Sequence, residues 1–303
     1  MVKEFVRQIR MTPLCQEEEY GVWIPLMERF LRGRIEGGQY CIALALLEDG
    51  VPVVSVLGCP NQPMFSSRTS KLTAEQVNYG TWSEDEVYEA VKQSSGVNEM
   101  QNLFSFNRGC IFVAVRGCGC YEISIRELEQ SLFGSSDNNG TPMWKQLQVT
   151  PSRGTSRTPS CAMFCLGVER EFSDPKGTVL KIAQLLHGED ALTTVDGIPD
   201  IRNAFRMDGQ GKYGILARGE AEYFLRLPKP DYRDWVWDVA AGYLILTEAG
   251  GKMTDVNGEN IDFSGIGVDR MAKLSEDVKG LLGSCGGIFH DTLLSAYASV
   301  KKS

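Results

Sequence analysis

The stretch DVAAGYLILTEA at residues 238–249 constrains the fold more than any other part of the chain. Wound as a helix it is apolar nearly all round, so it has no face to offer solvent and has to be enclosed on several sides. The Gly250-Gly251 pair that follows supplies a C-terminal stop. Such a helix needs covering layers, and the rest of the chain offers strands to build them. Residues 40–59, YCIALALLEDGVPVVSVLGC, read as two β-rich runs around Asp49-Gly50, the dipeptide of a tight hairpin. Residues 110–116, CIFVAVR, and 146–150 give two further strands, and CAMFCLGV from residue 161 another. Residues 178–187 have helical periodicity, a weaker helical pattern occupies 84–91, and 213–226 read as two strands turning at Arg218-Gly219-Glu220. The expected class is α/β, with helices and sheets in layers.

A chain of 303 residues buries a substantial core. Residues 150–160, TPSRGTSRTPS, form a polar connector. It separates an incomplete N-terminal α+β half, residues 1–150 with the hairpin at 40–59, from a C-terminal α/β half at 161–303. A phosphorylation target is the alternative reading of the connector. A net charge of -8 leaves no basic excess to displace the counterions of nucleic acid, whereas a small phosphorylated ligand needs only a few placed cations. The longest apolar run, 41–47, is too short to span a bilayer and the N-terminus has no leader pattern, so no membrane partner and a cytoplasmic location are expected. Nine scattered cysteines read as reduced, mostly buried thiols, and Cys118-Gly119-Cys120 lacks the second ligand pair of a zinc site. His187 and His290 leave little room for histidine-based covalent chemistry.

Asp238 stands at the start of the enclosed helix, where unpaired backbone amides favour anions and a carboxylate is well placed. Two readings are open from the residues alone. Asp238 charges the helix start, or it holds a Mg2+ ion that polarises a phosphoryl group. Lys212 and Arg226 likewise read either as solvated charges or as an ammonium and a guanidinium fork for phosphate.

The run Trp237-Asp238-Val239-Ala240-Ala241-Gly242, followed by Glu248-Ala249-Gly250-Gly251 and Thr254-Asp255, resembles the W-D-x-A-A-G and E-A-G-G-x-x-T-D signature of the inositol monophosphatase superfamily. Residues 207–228, MDGQGKYGILARGEAEYFLRLP, and residues 30–63 with Phe30-Leu31-Arg32-Gly33 and Gly58-Cys59-Pro60-Asn61, resemble its 3'(2'),5'-bisphosphate nucleotidase branch. The resemblance implies a layered α/β/α/β/α sandwich and a Mg2+-dependent phosphatase that removes the 3'-phosphate of adenosine 3',5'-bisphosphate. It implies Asp238 as metal ligand and substrate contact, and Lys212 and Arg226 as contacts to the nucleotide phosphates.

The chain departs from that pattern before Phe30-Leu31-Arg32-Gly33. Where the family carries D-P-I-D-G-T, register puts Val22 and Pro25 at the aspartates and Met27 at the threonine. Glu17, Glu18 and Glu19 do not replace the upstream glutamates, so the N-terminal helical region is expected to be partly missing. Gly209 replaces a serine, and residues 169–173 lack a histidine expected near the adenine. Mg2+ held by one remaining aspartate implies weak binding and weak or lost activity. The alternatives are a non-catalytic nucleotide- or protein-binding descendant, an incomplete gene product, and an inositol monophosphatase-like sugar phosphatase.

Overall fold

The computed structural model describes residues 22–28, 40–63, 108–133, 144–149, 158–167, 176–195, 197–207, 209–264 and 272–302. Residues 84–91 and 169–173, the cluster at Glu17, Glu18 and Glu19, and most of the connector at 150–160 lie outside them.

The first sheet joins β1 (Val22–Glu28), β2 (Cys41–Glu48), β3 (Val51–Pro63), β4 (Arg108–Val115), β5 (Gly119–Ser124) and β6 (Lys145–Leu147) in chain order. Every neighbouring pair is antiparallel. The β2–β3 turn forms as its dipeptide predicts, with Asp49 and Gly50 at φ 48° and 74°, the positive values that a primed two-residue turn requires. A Cβ at Gly50 would also stand 2.6 Å from the Ser264 Cα, so the turn doubles as a packing point. Along β2, Cys41, Ala43, Ala45 and Leu47 are buried while Ile42 and Glu48 are exposed, the period of a strand with one covered face. Helix α1 (Ile125–Phe133) follows β5 and packs on β4 and β5.

Beyond the connector come β7 (Phe164–Leu166), helix α2 (Thr178–His187), a hairpin of β8 (Leu192–Val195) and β9 (Ile198–Ile201), and β10 (Ala204–Arg206). Then follow α3 (Gly211–Ala217), β11 (Tyr223–Arg226), α4 (Ala240–Glu248), β12 (Lys252–Asp255), β13 (Leu281–Ser284) and α5 (Gly287–Lys302). The second sheet has the order β10-β7-β11-β13-β12, parallel on the β7 side of β11 and antiparallel beyond it.

Two expectations are corrected here. Residues 213–217 are not a strand but part of α3, whose every residue from Gly211 to Ala217 is buried. A helix enclosed on all sides shows no polar stripe, so its period is invisible in the sequence. The enclosed helix at 238–249 also starts later than expected. Val239, at φ -128° and ψ -42°, is its N-cap, and Asp238 closes a separate 3-10 turn, Val236–Asp238.

Helices α3 and α4 cross at a glycine. A Cβ on Gly242 would lie 1.8 Å from the Tyr213 ring, so nothing larger than hydrogen fits between these helices. Helix α4 covers β3 and β4 of the first sheet. On β11, consecutive side chains face opposite ways. Phe224 meets Tyr213 of α3 at 5.1 Å, and Tyr223 meets Phe289 of α5 at 5.9 Å. The layers therefore run sheet, α3 with α4, sheet, α2 with α5, an α/β sandwich.

Arg218, just past α3, fastens the inner helices to the first sheet. It is 1% exposed, and its Nε donates to the Glu122 Oε1 at 2.9 Å from a carboxylate with no exposure. Its Nη2 also reaches the Cys110 Sγ at 3.3 Å, and the guanidinium lies over the Phe112 ring. The sequence suggested only a turn charge at this position.

Candidate functional site

Helix α3, the end of β11 and the turn before α4 bring the three sequence-predicted site residues into one neighbourhood. Lys212 is 8% exposed on the first turn of α3, and its Nζ donates to the Gly209 carbonyl at 2.5 Å and the Met207 carbonyl at 3.4 Å. Arg226 ends β11, and its Nε donates to the Asp234 Oδ1 at 2.6 Å. Asp238 is half-buried at the end of its 3-10 turn.

Their charges act on one another. Burial works against the Arg226 cation, but Asp234, Tyr213 and Asp238 outweigh it and hold the guanidinium's pKa above its usual value. Burial raises the Asp234 carboxyl, while Arg226 and Lys212 pull it back. Asp234 is thus the hub, an almost fully buried carboxylate that orients a guanidinium and shares the field of an ammonium. Sequence reading missed it, because nothing in the spacing of Arg226 and Asp234 announces their pairing.

Gln210 is the second residue missed. Its Nε2 donates to the Trp237 carbonyl at 2.7 Å, and its Oε1 accepts from the Gly242 amide at 2.9 Å. One buried side chain therefore ties the start of α3 to both ends of the segment that carries Asp238. Trp235 and Trp237 stack at 4.6 Å with an interplanar angle of 8°, and the Lys273 ammonium lies 4.5 Å from the Trp235 ring centre. Strand β1, which carries Val22, Pro25 and Met27, runs beside the same 3-10 turn. The segment where the sequence resemblance expects the family's aspartates to be replaced thus runs beside the turn that ends at Asp238.

Other acidic residues of the motif serve the fold. The Glu248 carboxylate accepts from the Gly117 and Gly119 amides at 2.9 and 2.8 Å, fastening the Cys118 turn to the end of α4. The Asp255 Oδ1 accepts from the Asn257 and Glu259 amides, each at 2.8 Å, and closes its own loop. Among the described residues no three of His, Cys, Asp and Glu gather in a metal-holding group. Mg2+ demands several hard oxygen ligands in near-octahedral array. Asp234 is committed to Arg226, Glu248 and Asp255 to backbone amides, and Asp238 adds one carboxylate, so these residues do not fit a Mg2+ ion held by the protein alone. No described helix is long and apolar enough to cross a membrane.

Comparison with known proteins gives the family. Residues 3–275 match the inositol monophosphatase family profile. The chain is 34% identical over 234 residues to the 3'(2'),5'-bisphosphate nucleotidase of Emericella nidulans, covering 77% of this chain and 52% of that protein. It is 30% identical over 272 residues to the 3'(2'),5'-bisphosphate nucleotidase of Schizosaccharomyces pombe, covering 89% of this chain and 58% of that protein. The chain thus spans between half and three-fifths of the length of these relatives. Among solved structures, the inositol monophosphatase of Anabaena sp. PCC 7120 superposes with a TM-score of 0.51 at 15% identity, covering 98% of this chain and 81% of that one. Mycobacterium tuberculosis SuhB gives the same TM-score and identity, with 99% of this chain and 81% of its own covered, and both likenesses concern the fold. With the family profile matched over most of its length, the chain belongs to the inositol monophosphatase family.

Proposed function

We propose that this chain binds a nucleotide carrying phosphates on its 3' and 5' positions, as in the 3'(2'),5'-bisphosphate nucleotidase branch, and hydrolyses it weakly or not at all. The observation that supports this reading best is the Arg226–Asp234 pair, with Lys212 close enough to act on Asp234 and Asp238 close enough to act on Arg226. In this reading Asp234 holds the Arg226 fork in the orientation that a phosphate oxygen meets, and the Lys212 ammonium turns from backbone carbonyls toward a second phosphate. Among the described residues Asp238 is the carboxylate that would hold a Mg2+ ion arriving with the substrate phosphates, where the ion would supply charge neutralisation. Gln210 keeps the two sides of the site in register. The connector at 150–160 joins the half that carries the hairpin to the half that carries these residues, and a cytoplasmic location goes with a soluble nucleotide ligand.

Weak or absent turnover is favoured by the commitments of Asp234, Glu248 and Asp255 to groups other than a metal. Clamping both the attacking and the leaving oxygen of a phosphoryl transfer takes two metal ions and their ligands. The test is calorimetric titration with adenosine 3',5'-bisphosphate and with an inositol monophosphate, with and without Mg2+, followed by a phosphate-release assay on the same sample. The nucleotide is expected to bind more tightly with Mg2+, and Asp238→Asn to remove the Mg2+ effect. Tighter binding of the inositol monophosphate would move the reading to a sugar phosphatase, and no binding of either would sink it.

A further inference from the structure

The polar connector carries the triplet Thr-Pro-Ser twice, at Thr150-Pro151-Ser152 and at Thr158-Pro159-Ser160, with Arg153 and Arg157 and no acidic residue from 150 to 160. The second copy lies within the described residues and leads into a short 3-10 turn, Pro159–Cys161. Thr158 is exposed at the N-cap of that turn, with extended backbone at φ -112° and ψ 163°. Its hydroxyl lies 2.9 Å from that of Ser160 and 3.4 Å from the Cys161 Sγ, surface contacts that water can replace. We propose that Thr158 is a phosphorylation site, modified by a protein kinase that requires a proline directly after its target.

Proline fixes its own φ, donates no hydrogen bond and keeps the residue before it extended. Thr158 is therefore held in the extended form in which a substrate strand lies in a kinase cleft, with a ring where other substrates offer an amide. Ser160 is followed by Cys161 rather than proline and stands inside the turn. Thr150 has the same triplet, but Val149 before it has no exposure and donates its amide to the Ala249 carbonyl at 3.0 Å. That anchor keeps the chain before Thr150 out of a cleft. Thr158 instead follows polar connector residues, and Pro159, Ser160 and Cys161 after it are half-buried or exposed.

In the transfer the Thr158 Oγ1 attacks the γ-phosphorus of a nucleoside triphosphate, and the bond from that phosphorus to the bridging oxygen breaks. The nucleoside diphosphate leaves, and the hydroxyl proton passes to the kinase. The new group carries close to two negative charges, and the arginines of the segment leave it no like charge there to repel it. Helices α2 and α5 pack against the turn that receives it. His187, the last residue of α2, has two buried ring nitrogens that make no hydrogen bond among the described residues. Burial lowers its pKa, and the nearby Pro159 carbonyl opposes that. A phosphate one residue from Pro159 adds to the field of that carbonyl and favours the imidazolium, so the modification is read at the end of α2.

The test incubates the full chain with Mg2+ and ATP and a proline-directed kinase, with a Thr-Pro peptide in the same tube as control, and maps phosphate by mass spectrometry. The expected result is phosphate on Thr158, lost in Thr158→Ala and in Pro159→Ala and kept in Thr158→Ser. A proton NMR titration then follows the two histidines of the chain, with His187→Gln assigning their signals. The His187 pKa rises on phosphorylation, while His290, between the Thr254 and Ser284 hydroxyls, is the unmoved reference. Phosphate on Thr150 or Ser160 alone, or none on the chain while the control peptide is modified, would overturn the proposal. Phosphate on Thr158 with His187 unmoved would overturn its coupling to α2.

Discussion

Two arginine–carboxylate pairs of similar chemistry, Arg218–Glu122 and Arg226–Asp234, sit in different settings, one at each end of the segment from α3 to α4. Arg218–Glu122 lies between the inner helices and the first sheet, with side chains 1% and 0% exposed. Arg226–Asp234 lies at the edge of the candidate site, with side chains 20% and 3% exposed. Both carboxylates are sequestered, and the difference is in the guanidinium. Arg218 is enclosed by Glu122, Cys110 and the Phe112 ring, so its charge is spent within the fold. Arg226 keeps contact with solvent, and an incoming anion can share it with Asp234. A buried pair is a poor guide to net stability, but removing one of its partners is costly because the other charge is stranded.

The largest effect should therefore come from Glu122→Gln. The change leaves Arg218 with the more distant Glu220, 3.7 Å from its Nη1, and should cost up to about 3–5 kcal/mol in chemical denaturation. A loss below about 1 kcal/mol would mean that water reaches Arg218 and that the two pairs do not differ in kind.

A buried group held neutral supplies the next effect. His290 of α5 has no exposure, and its Nε2 and Nδ1 each lie 3.0 Å from a hydroxyl, of Thr254 and Ser284 respectively. Burial first, and then the nearby Lys252 cation, push its pKa down to about 4, with Asp291 opposing weakly. The folded state thus takes up the proton less readily than the unfolded chain, whose histidine titrates near 6.5. Stability is unaffected by this group above about pH 7 and falls as pH drops from about 6.5 to about 4, by up to about 3 kcal/mol. Urea midpoints measured down this range should fall for the wild type and stay flatter for His290→Gln. Parallel curves would show that the histidine is solvated.

Asp234→Asn should cost less than half of the Glu122 effect, about 1–2 kcal/mol, because Arg226 keeps a solvated side and the amide oxygen keeps the Nε bond. The same change should tighten binding of inorganic phosphate several-fold in a titration, since the guanidinium loses its competing anion. Weaker phosphate binding would show that Asp234 orients the fork more than it competes for it.

Sequence reading reached these regions unequally. The β2–β3 hairpin was legible because Asp49-Gly50 encodes a local conformation, the positive φ at both positions. The enclosed helix was legible because an apolar run of that length has few other fates. Helix α3 was not, since burial on every side erases its period and Gly214 and Gly242 act there as contact points for Phe112 and Tyr213 rather than as turn signals. At the site, Lys212, Arg226 and Asp238 were named through motif resemblance. Asp234 and Gln210 were not, because their roles are set by partners that only the fold brings near. Arg218 and Glu122, 96 residues apart in sequence, are the extreme case.

The smallest effect tests whether exposure alone sorts the ion pairs. Arg233 and Glu276 approach to 3.5 Å with side chains 33% and 82% exposed, beside the bridge that pairs Trp235 with Lys273. At such exposure water and salt screen the attraction, and holding two long side chains together costs conformational entropy of similar size. Glu276→Gln should therefore change stability by less than about 0.5 kcal/mol, with no dependence on ionic strength beyond that of the wild type. A loss above about 1 kcal/mol that high salt removes would point elsewhere. The carboxylate would then be anchoring the strand-like contact at Lys273 against the stacked tryptophans, and the rim of the site would be held by charge as firmly as its floor is held by packing.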